Sequence, residues 1–328
     1  MKRILIIGDG TPPREYYDLA YGEGCKIVTN EISSSKYPKI LRHAIYLLQA
    51  MVALVQQYRY DRIFIWAQYI GFYFSFFADL FPKAKCKVFV AYVIFKPFKD
   101  TKAAKWKKIF FLKRINSRSV DVWLFFSKLD PLYNETPPGK RVFVSYSQSR
   151  SQVIEKNKIQ PKTKFYLFSG GASNRNNDLL GDAWRDTTLP PLKAVVENKT
   201  QIPSNEDRIE WYVHIPSQEF DRLLAQSSGV ILPLSNPNVL SGQIVLLKAI
   251  EAGLPVYVTA SAHIDEWIGS PEDTPTVHRF KTAKELQVLL RDSKGWFEHA
   301  QDELKYSSLY EMLGDTLRFS KALLSITL

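Results

Sequence analysis

The sequence of 328 residues lacks the patterns on which disulfide-rich proteins and many metalloenzymes depend. Its two cysteines, Cys25 and Cys86, are too few for a disulfide framework or a four-cysteine metal site, which favours a reducing compartment. It contains no Asp-x-Asp pair to hold a divalent cation on a diphosphate, no metal-binding cluster of His and Cys, and no P-loop. We therefore expect neither a metal nor another cofactor, and the sequence argues against a P-loop kinase.

Long hydrophobic runs are also missing. Only four apolar residues, 4–7, follow the basic start before the first glycine, which is too few for the core of a secretory signal. The uncharged run 63–78 has 16 residues and includes Gln68 and Ser75, whereas a spanning helix needs about 20 predominantly apolar residues. The sequence therefore predicts no secretory signal and no membrane-spanning helix.

Acidic residues are scarce in the first half of the chain. Residues 1–160 contain 27 Lys and Arg against 12 Asp and Glu, whereas residues 161–328 contain 17 against 21, and the net charge is +11. Such an excess of positive charge in one half predicts an anionic partner for that half. Membrane lipid and nucleic acid are the two classes of partner that fit.

Short apolar runs alternate with helical patterns, and the alternation occurs twice. With 45% hydrophobic and 23% charged residues, the composition is that of a globular protein. The first series predicts strands near 3–7, 62–66, 86–95 and 120–126, and helices over 40–56, 69–81 and 106–118. The second predicts strands near 164–168, 209–215, 229–234 and 255–259, and helices over 220–228, 241–252 and in the tail from 282.

This repeated alternation indicates an α/β protein with two doubly wound, Rossmann-like domains facing across a cleft. The polar, lysine-rich stretch 152–164 is the expected linker. We therefore expect a first domain over residues 1–155 and a second over 156–328, with the last helix packing back on the first. Open α/β sheets bind ligands outside the carboxyl ends of their strands, so the site is expected there.

Glycines and one arginine follow the first strand of the second series. In the segment 169–178, Gly170 and Gly171 would let backbone N–H groups approach an anion closely, and Arg175 would bind a phosphate with its planar fork. The alternative is a plain glycine turn with a solvated arginine.

The segment 236–256 predicts a helix that is apolar nearly all round and therefore buried against the sheet. Ser241 or Asn238 would cap its N-terminus, where free N–H groups and the positive end of the helix dipole suit a diphosphate. Lys248 lies two turns into this helix, where a lone charge is costly unless it has a partner. The alternative is a lysine that extends to the surface.

These residues resemble a known family. The run Ser241-Gly242-Gln243, the apolar helix after it and the ending at Pro255-Val256 resemble the donor-site helix of GT-B glycosyltransferases. The segments 211–216, 220–224 and 230–234 are similar to that class in order and spacing, and 169–175 falls where the class places the first loop of its C-terminal domain. The resemblance covers about residues 160–270, and the first half matches only in general layout.

The resemblance implies a metal-independent hexosyltransferase. It would move a sugar from a nucleotide diphosphate to a saccharide, lipid-linked acceptor in bacterial polysaccharide or glycoconjugate synthesis. The residues that the resemblance assigns to the donor are Gly170, Gly171, Arg175, Ile215, Ser241, Gly242, Gln243 and Lys248. Many members carry a glutamate at the position of Lys248, which holds the ribose hydroxyls. A lysine cannot accept those hydrogen bonds, so we expect it to pair with a phosphate instead.

The catalytic base is expected to come from the first half of the chain. An inverting transfer needs a carboxylate or histidine to take the proton of the acceptor hydroxyl, and Asp9, at the end of the first strand, is the candidate. The alternative is an aspartate that stabilises a turn, and Asp18 and Glu15 are the next candidates. A retaining enzyme would need no such base. His43 and His214 are isolated in the sequence and are expected to be core or surface residues.

The segment 96–118 carries nine Lys and Arg against one acidic residue, Asp100. Basic residues near anionic lipid contribute on the order of 1 kcal/mol each, and aromatic side chains anchor at the interface. The residues expected to contact the membrane are Lys105, Trp106, Lys107, Lys108, Phe110, Phe111, Lys113 and Arg114. The resemblance implies that the protein is cytoplasmic and bound peripherally to the inner face of the cell membrane. The alternative is a solvated basic face over an ordinary core.

Two other functions compete with this interpretation. A nucleic-acid-binding protein would use the basic half, but it would leave the motifs of the second half unexplained, and no groove-reading motif is evident. A non-catalytic sugar-binding adaptor is compatible with the lysine at position 248.

Overall fold

In the computed structural model, the chain forms two compact α/β units. The structure describes residues 2–9, 14–32, 34, 37–95, 100–144, 153–154, 165–171, 173–186, 188–204, 208–292, 320–321 and 325. One unit comprises Met1–Ser145 with Thr316–Leu328, and the other comprises Tyr146–Asp315. Most of the expected linker 152–164 lies outside the described residues.

The first unit is built on a sheet of six parallel strands in the order β2-β1-β3-β4-β5-β6. Its strands are β1 (Lys2–Gly8), β2 (Cys25–Glu31), β3 (Arg62–Trp66), β4 (Lys87–Val93), β5 (Val122–Phe125) and β6 (Arg141–Phe143). Its helices include α1 (Arg14–Tyr21), α2 (Lys39–Gln56), α3 (Gln68–Ala78) and α4 (Lys102–Ile115). Residues 4–7 of β1 are buried on both faces, as expected for a central parallel strand.

The helices α2, α3 and α4 lie on the same face of this sheet. Each leads to the next strand in one direction along the sheet, and parallel crossovers are almost always right-handed. In agreement, α3 packs against both α2 and α4. Below them, the ring of Phe72 stacks on Phe111 and Trp123 with centroids 4.4 and 5.1 Å apart. The near-C-terminal residue Ser320 also belongs to this unit, where its hydroxyl donates to the carbonyl of Tyr16 at 2.9 Å.

The second unit is built on another sheet of six parallel strands, in the order β12-β11-β10-β7-β8-β9. Its strands are β7 (Leu167–Gly170), β8 (Leu192–Val196), β9 (Ile209–Val213), β10 (Val230–Leu232), β11 (Val256–Thr259) and β12 (Val277–Phe280). Its helices include α5 (Asn177–Trp184), α6 (Ser217–Ala225), α7 (Gln243–Glu251), α8 (Ala262–Ile268) and α9 (Ala283–Asp292). The side chains of Leu246, Leu247 and Ile250 on α7 are fully buried, which explains why that helix is apolar nearly all round.

The predicted fold class, two doubly wound Rossmann-like domains, is confirmed. The predicted helix over 241–252 is shorter than expected and begins at Gln243, whereas the helix expected over 106–118 begins earlier, at Lys102. The earlier start has a local cause, since the Thr101 hydroxyl accepts a hydrogen bond from the N–H of Ala104 at 3.2 Å. In the described part of the chain, no helix has the length and hydropathy needed to cross a bilayer.

Candidate functional site

The strand order of the second sheet reverses between β7 and β10. From β7 the chain runs outward through β8 to β9, and it then returns to the other side of β7 through β10. The loops after β7 and β10 therefore diverge at the carboxyl edge of the sheet, where open α/β sheets bind their ligands. Arg175 and Leu234 form an antiparallel bridge between these two loops. The structure thus brings the predicted arginine to the point of reversal.

Two glycines at the end of β7 leave room for neighbouring side chains. A Cβ atom on Gly170 would lie 2.6 Å from Cε2 of Phe220. Gly171 has a φ of +131°, and a Cβ atom there would collide with the guanidinium of Arg175. Gly170 therefore leaves room for Phe220, and Gly171 lets the arginine lie directly against the backbone.

Arg175 is held by carbonyl groups and, within the described residues, faces no carboxylate. Its Nε donates to the carbonyl of Gly170 and its Nη1 to that of Ser173, both at 2.9 Å. Burial lowers the pKa of Arg175 to about 10, so the guanidinium is still a cation at neutral pH. Arg175 is partly buried, and a cation removed from water without a carboxylate is costly unless an anion compensates it. A guanidinium matches the geometry of a phosphate.

The N-terminus of α7 lies beside the same guanidinium. Gly242 precedes the helix with a φ of +90°, and a Cβ atom on it would be 3.9 Å from Nη2 of Arg175. The N-cap residue is Gly242, which has no side chain to cap the helix, so the expectation that Ser241 or Asn238 occupies that position is wrong. The first intrahelical bond runs from the N–H of Leu246 to the carbonyl of Gly242, which leaves the preceding N–H groups of the first turn without helical partners. These groups and the helix dipole add positive potential next to Arg175.

The loops after β7 and β10 are fastened to each other through Asn174. Its side-chain amide donates to the carbonyl of Asn236 at 3.0 Å and accepts from the N–H of Asn236 at 2.9 Å. Its own carbonyl accepts from the N–H of Ser235 at 3.2 Å, and its φ of +56° is a left-handed conformation that asparagine tolerates. The position of Arg175 is therefore fixed by its neighbour in sequence.

In the first sheet, the strand order reverses between β1 and β3, and Asp9 follows β1 there. Its Oδ1 accepts from the N–H of Ser34 at 2.7 Å, and its Oδ2 accepts from the Ser34 hydroxyl at 2.8 Å and from the Tyr46 hydroxyl at 2.6 Å. The structure thus places the predicted base at a carboxyl edge, but three donors already occupy it. A carboxylate offers about four acceptor sites, so little capacity is left for an acceptor hydroxyl.

A histidine that the sequence did not single out as functional packs against Tyr46, whose hydroxyl donates to Asp9. The Nδ1 atom of His43 on α2 is 3.0 Å from the Tyr73 hydroxyl, and its ring packs edge-on against Tyr69 and Tyr46 at 5.2 and 5.8 Å. Burial, and then the charge of nearby lysines and an arginine, lowers the pKa of His43, which favours the neutral, basic ring. Burial and the Asp9 carboxylate raise the pKa of Tyr46 to about 12. This proximity depends on the packing of α2 on α3 and is not visible in the sequence.

The structure separates the predicted membrane-contacting residues of α4 into two groups. Phe111 and Arg114 are buried, so the expectation that they contact a membrane is wrong. Phe111 belongs to the aromatic core, and Arg114 donates to the carbonyl of Ser75 at 3.1 Å and pairs with Asp79 at 3.3 Å. Phe110 is partly buried. The exposed members are Lys105, Trp106, Lys107, Lys113 and, in part, Lys108.

Solved structures of similar length resemble the chain in fold. Anabaena HepE in complex with UDP is similar over 100% of this chain and 99% of its own, with a TM-score of 0.68 and 12% identity. WaaG, a glycosyltransferase involved in lipopolysaccharide biosynthesis, is similar over 95% and 99%, with a TM-score of 0.55 and 15% identity. The chain has the GT-B fold. No protein-family model and no curated protein sequence matches it.

The GT-B fold occurs in more than one class of enzyme. The UDP-GlcNAc 2-epimerase of Methanocaldococcus jannaschii is similar over 100% of this chain and 99% of its own, with a TM-score of 0.56 and 8% identity. The fold therefore does not by itself decide the reaction, which must be argued from the site.

Lys248 departs from the expectation for a GT-B donor site. Its Nζ lies 2.5 Å from Oδ1 of Asp221 on α6 and 5.7 Å from the centre of the Phe220 ring, and the lysine side chain is only 12% exposed. The lysine therefore pairs with a carboxylate of its own unit and does not extend to the surface. Because Asp221 already compensates the charge of Lys248, the predicted pairing of this lysine with a phosphate is not needed to explain why a charged residue lies in the helix.

The remaining residues that the GT-B resemblance assigned to the donor belong to two different segments of the second unit. Ser241 and Gln243 flank Gly242, and the side chain of Gln243 is buried. Ile215 follows β9, the edge strand two places from β7, and packs partly buried against the core. Its expected contact with the nucleotide base stays a prediction.

Residues that ligate metals are not grouped in the described part of the chain. There, no three His, Cys, Asp or Glu side chains come close enough together to hold an ion. The groups that converge at the reversal of the second sheet are instead a guanidinium and backbone N–H groups, which bind anions.

Proposed function

We propose that the chain is a glycosyltransferase that binds a nucleotide-diphosphate sugar in its second unit. One observation carries the proposal: the Arg175 guanidinium, without a carboxylate among the described residues, lies between Gly171 and the uncapped end of α7. The backbone N–H groups and the guanidinium would bind the diphosphate. They would also stabilise the negative charge that develops on it as the bond to the sugar breaks.

A uridine nucleotide is the first donor to test. Structures of the similar HepE contain UDP, UDP-glucose, and UDP with glucose. In this chain the base would lie toward Ile215, at the carboxyl end of β9, and Lys248 would support the site through its ion pair with Asp221.

The first unit would present the acceptor, a saccharide that we propose is lipid-linked and belongs to bacterial polysaccharide or glycoconjugate synthesis. The involvement of the similar WaaG in lipopolysaccharide biosynthesis supports this class of acceptor. The protein would then be cytoplasmic and peripheral on the inner face of the membrane. In an inverting transfer the acceptor hydroxyl attacks the anomeric carbon and the diphosphate leaves. The hydroxyl proton would pass to Asp9 through the acceptor site that Ser34 and Tyr46 leave on its carboxylate.

Epimerisation is the second candidate, because an epimerase shares the fold over the full chain.

A thermal-shift screen against nucleotides and nucleotide sugars identifies the donor, since a ligand that binds the native state stabilises it by mass action. Incubation of that donor with the protein then separates the functions. Free nucleoside diphosphate indicates transfer or hydrolysis, whereas a changed sugar still attached to the nucleotide indicates epimerisation. Binding with neither product indicates an adaptor, and binding of nucleic acid alone would contradict the proposal.

A further inference from the structure

Helix α2 exposes an apolar face along most of its length. Six large aliphatic side chains on it are between 37% and 64% exposed, namely Leu41, Leu47, Leu48, Met51, Val52 and Val55. Residues 44–58 contain no charged residue. The opposite side of α2 is buried against the unit through Tyr46, Ala50 and Ala53. An ordinary surface helix carries polar residues on its outer face, and an apolar outer face marks an interaction site.

The exposed apolar surface continues on the two neighbouring helices. Leu80, just after α3, is 69% exposed, and Trp106 on α4 is 74% exposed. Phe76 and Ile109 are also exposed. Because α2, α3 and α4 cover the same face of the first sheet, their outer sides point in the same direction. We refer to the outer side of these three helices as the outer face.

Positive charge borders this apolar surface on α4. Lys102, Lys105 and Lys113 are exposed. Lys105 lies 2.9 Å from Asp100 and the neighbouring Lys108 lies 3.8 Å from Glu135, whereas Lys102 and Lys113 have no carboxylate partner within the described residues. The outer face therefore combines an uncharged aliphatic ridge with a cationic, tryptophan-bearing border.

We propose that the outer face docks on an anionic lipid bilayer and that α2, rather than the basic helix α4, supplies the inserted surface. The helix α2 would lie in the plane of the interface with its apolar side in the acyl boundary, while the lysines of α4 remain among the headgroups. The inference rests on the proposed glycosyltransferase function only for the reason why the protein is at a membrane. The choice of α2 as the inserted surface does not depend on that function.

Charge favours lipid over a second copy of the chain as the occupant. Residues 1–160 carry 27 Lys and Arg against 12 Asp and Glu. Two such units brought together through their outer faces would repel each other, whereas anionic headgroups attract them. The arrangement also predicts that the lysines of α4 contribute to binding only at low salt, whereas the apolar side chains of α2 contribute at both low and high salt. At about 1 M salt the Debye length is about 3 Å, so the contribution of the lysines is screened while apolar insertion persists.

The test uses the full chain and vesicles of equal parts phosphatidylcholine and phosphatidylglycerol. The variant Leu48→Gln with Val55→Gln removes two of the most exposed aliphatic side chains of α2. Leu19→Gln with Val288→Gln is the matched control, since both control residues are 47% exposed but lie on α1 and α9. We expect the α2 variant to lower the partition coefficient about tenfold or more at both low and 1 M salt, and the control to retain it. Lys102→Ala with Lys113→Ala should weaken binding at low salt only.

Three outcomes would overturn the proposal. These are no vesicle binding by the wild type, equal partitioning of the wild type and the α2 variant, or a wild-type dimer in solution that the α2 variant converts to a monomer. The last result would assign the face to a second copy. Nucleotide-sugar binding by the wild type and the same variants is measured in parallel. A wild type that binds the nucleotide sugar but no vesicles contradicts this inference and leaves the proposed function standing.

Discussion

The Nζ atom of Lys248 lies 2.5 Å from Oδ1 of Asp221, and the two side chains are 12% and 10% exposed. The pair joins α7 to α6 next to the end of β7. Removing one partner of a buried ion pair leaves an uncompensated charge and costs about 3–5 kcal/mol. We therefore expect Asp221→Ala to lower the free energy of unfolding by about that amount, measured by urea denaturation.

The double variant Asp221→Ala with Lys248→Met is the control for this prediction. Because it removes both charges, it should be more stable than Asp221→Ala alone, and the cycle should show a clear coupling energy. Strictly additive effects of the two substitutions would contradict the structural role of the pair.

Gly171→Ala tests the close approach of the backbone to Arg175. The added methyl group would collide with the guanidinium, and a φ of +131° is unfavourable for alanine. We expect at least tenfold weaker binding of the nucleotide identified by the thermal-shift screen, measured by calorimetry. Gly139→Ala is the matched control, since nothing lies within 4 Å of a Cβ atom there. Equal effects of the two substitutions would show that the approach is unimportant.

Asp9→Asn separates the structural role of Asp9 from a catalytic one. The amide loses acceptor capacity for Ser34 and Tyr46, so we expect a loss of stability of about 1–3 kcal/mol. If Asp9 is the base, transfer is lost while donor binding is retained. Tyr46→Phe removes one donor to Asp9 but keeps the carboxylate, so it should retain transfer. Full transfer by the asparagine variant would remove Asp9 from the mechanism.

The lowered pKa of His43 predicts a dependence of stability on pH. The unfolded chain binds a proton near the ordinary pKa of 6.5, whereas the folded chain binds it at lower pH because of burial and then of the charges of Lys39, Lys107 and Arg42. The stabilisation is therefore present above pH 6.5 and is lost as the pH falls through the lower pKa of the folded state. Denaturation of His43→Gln from pH 7 to pH 5 should show a smaller decline than the wild type. His263 and His278, whose pKa values are also lowered, are common to both proteins. If the free energy of unfolding declined equally with pH in the wild type and in His43→Gln, the lowered pKa of His43 would be contradicted.

Much of the fold follows from local patterns, but the contacts of the site depend on packing. The apolar runs of β1, β3 and β10 are continuous because both faces of these strands are buried, so the sequence revealed them. β2 was missed, since its side chains are partly exposed and mixed in polarity. The glycines and Arg175 were identified because a backbone that approaches an anion closely needs those residue types.

Long-range contacts were beyond the reach of the sequence. Ser34 and Tyr46 are 25 and 37 residues from Asp9, and Asp221 is 27 residues from Lys248. The burial of Phe111 and Arg114 was likewise not evident, since the segment around them is basic and aromatic on several sides. The angle at which α4 packs on the sheet decides which of these residues face the core.

The central claim is that Arg175 binds the diphosphate of a nucleotide. The most direct measurement is calorimetric titration of the wild type, Arg175→Ala and Arg175→Lys with UDP, and Arg185→Ala, an exposed arginine at the end of α5, serves as the control. Loss of a charge-assisted contact predicts about 10- to 100-fold weaker binding by Arg175→Ala, a smaller loss for the lysine variant, and wild-type affinity for the control. Wild-type affinity of Arg175→Ala for UDP would contradict the claim.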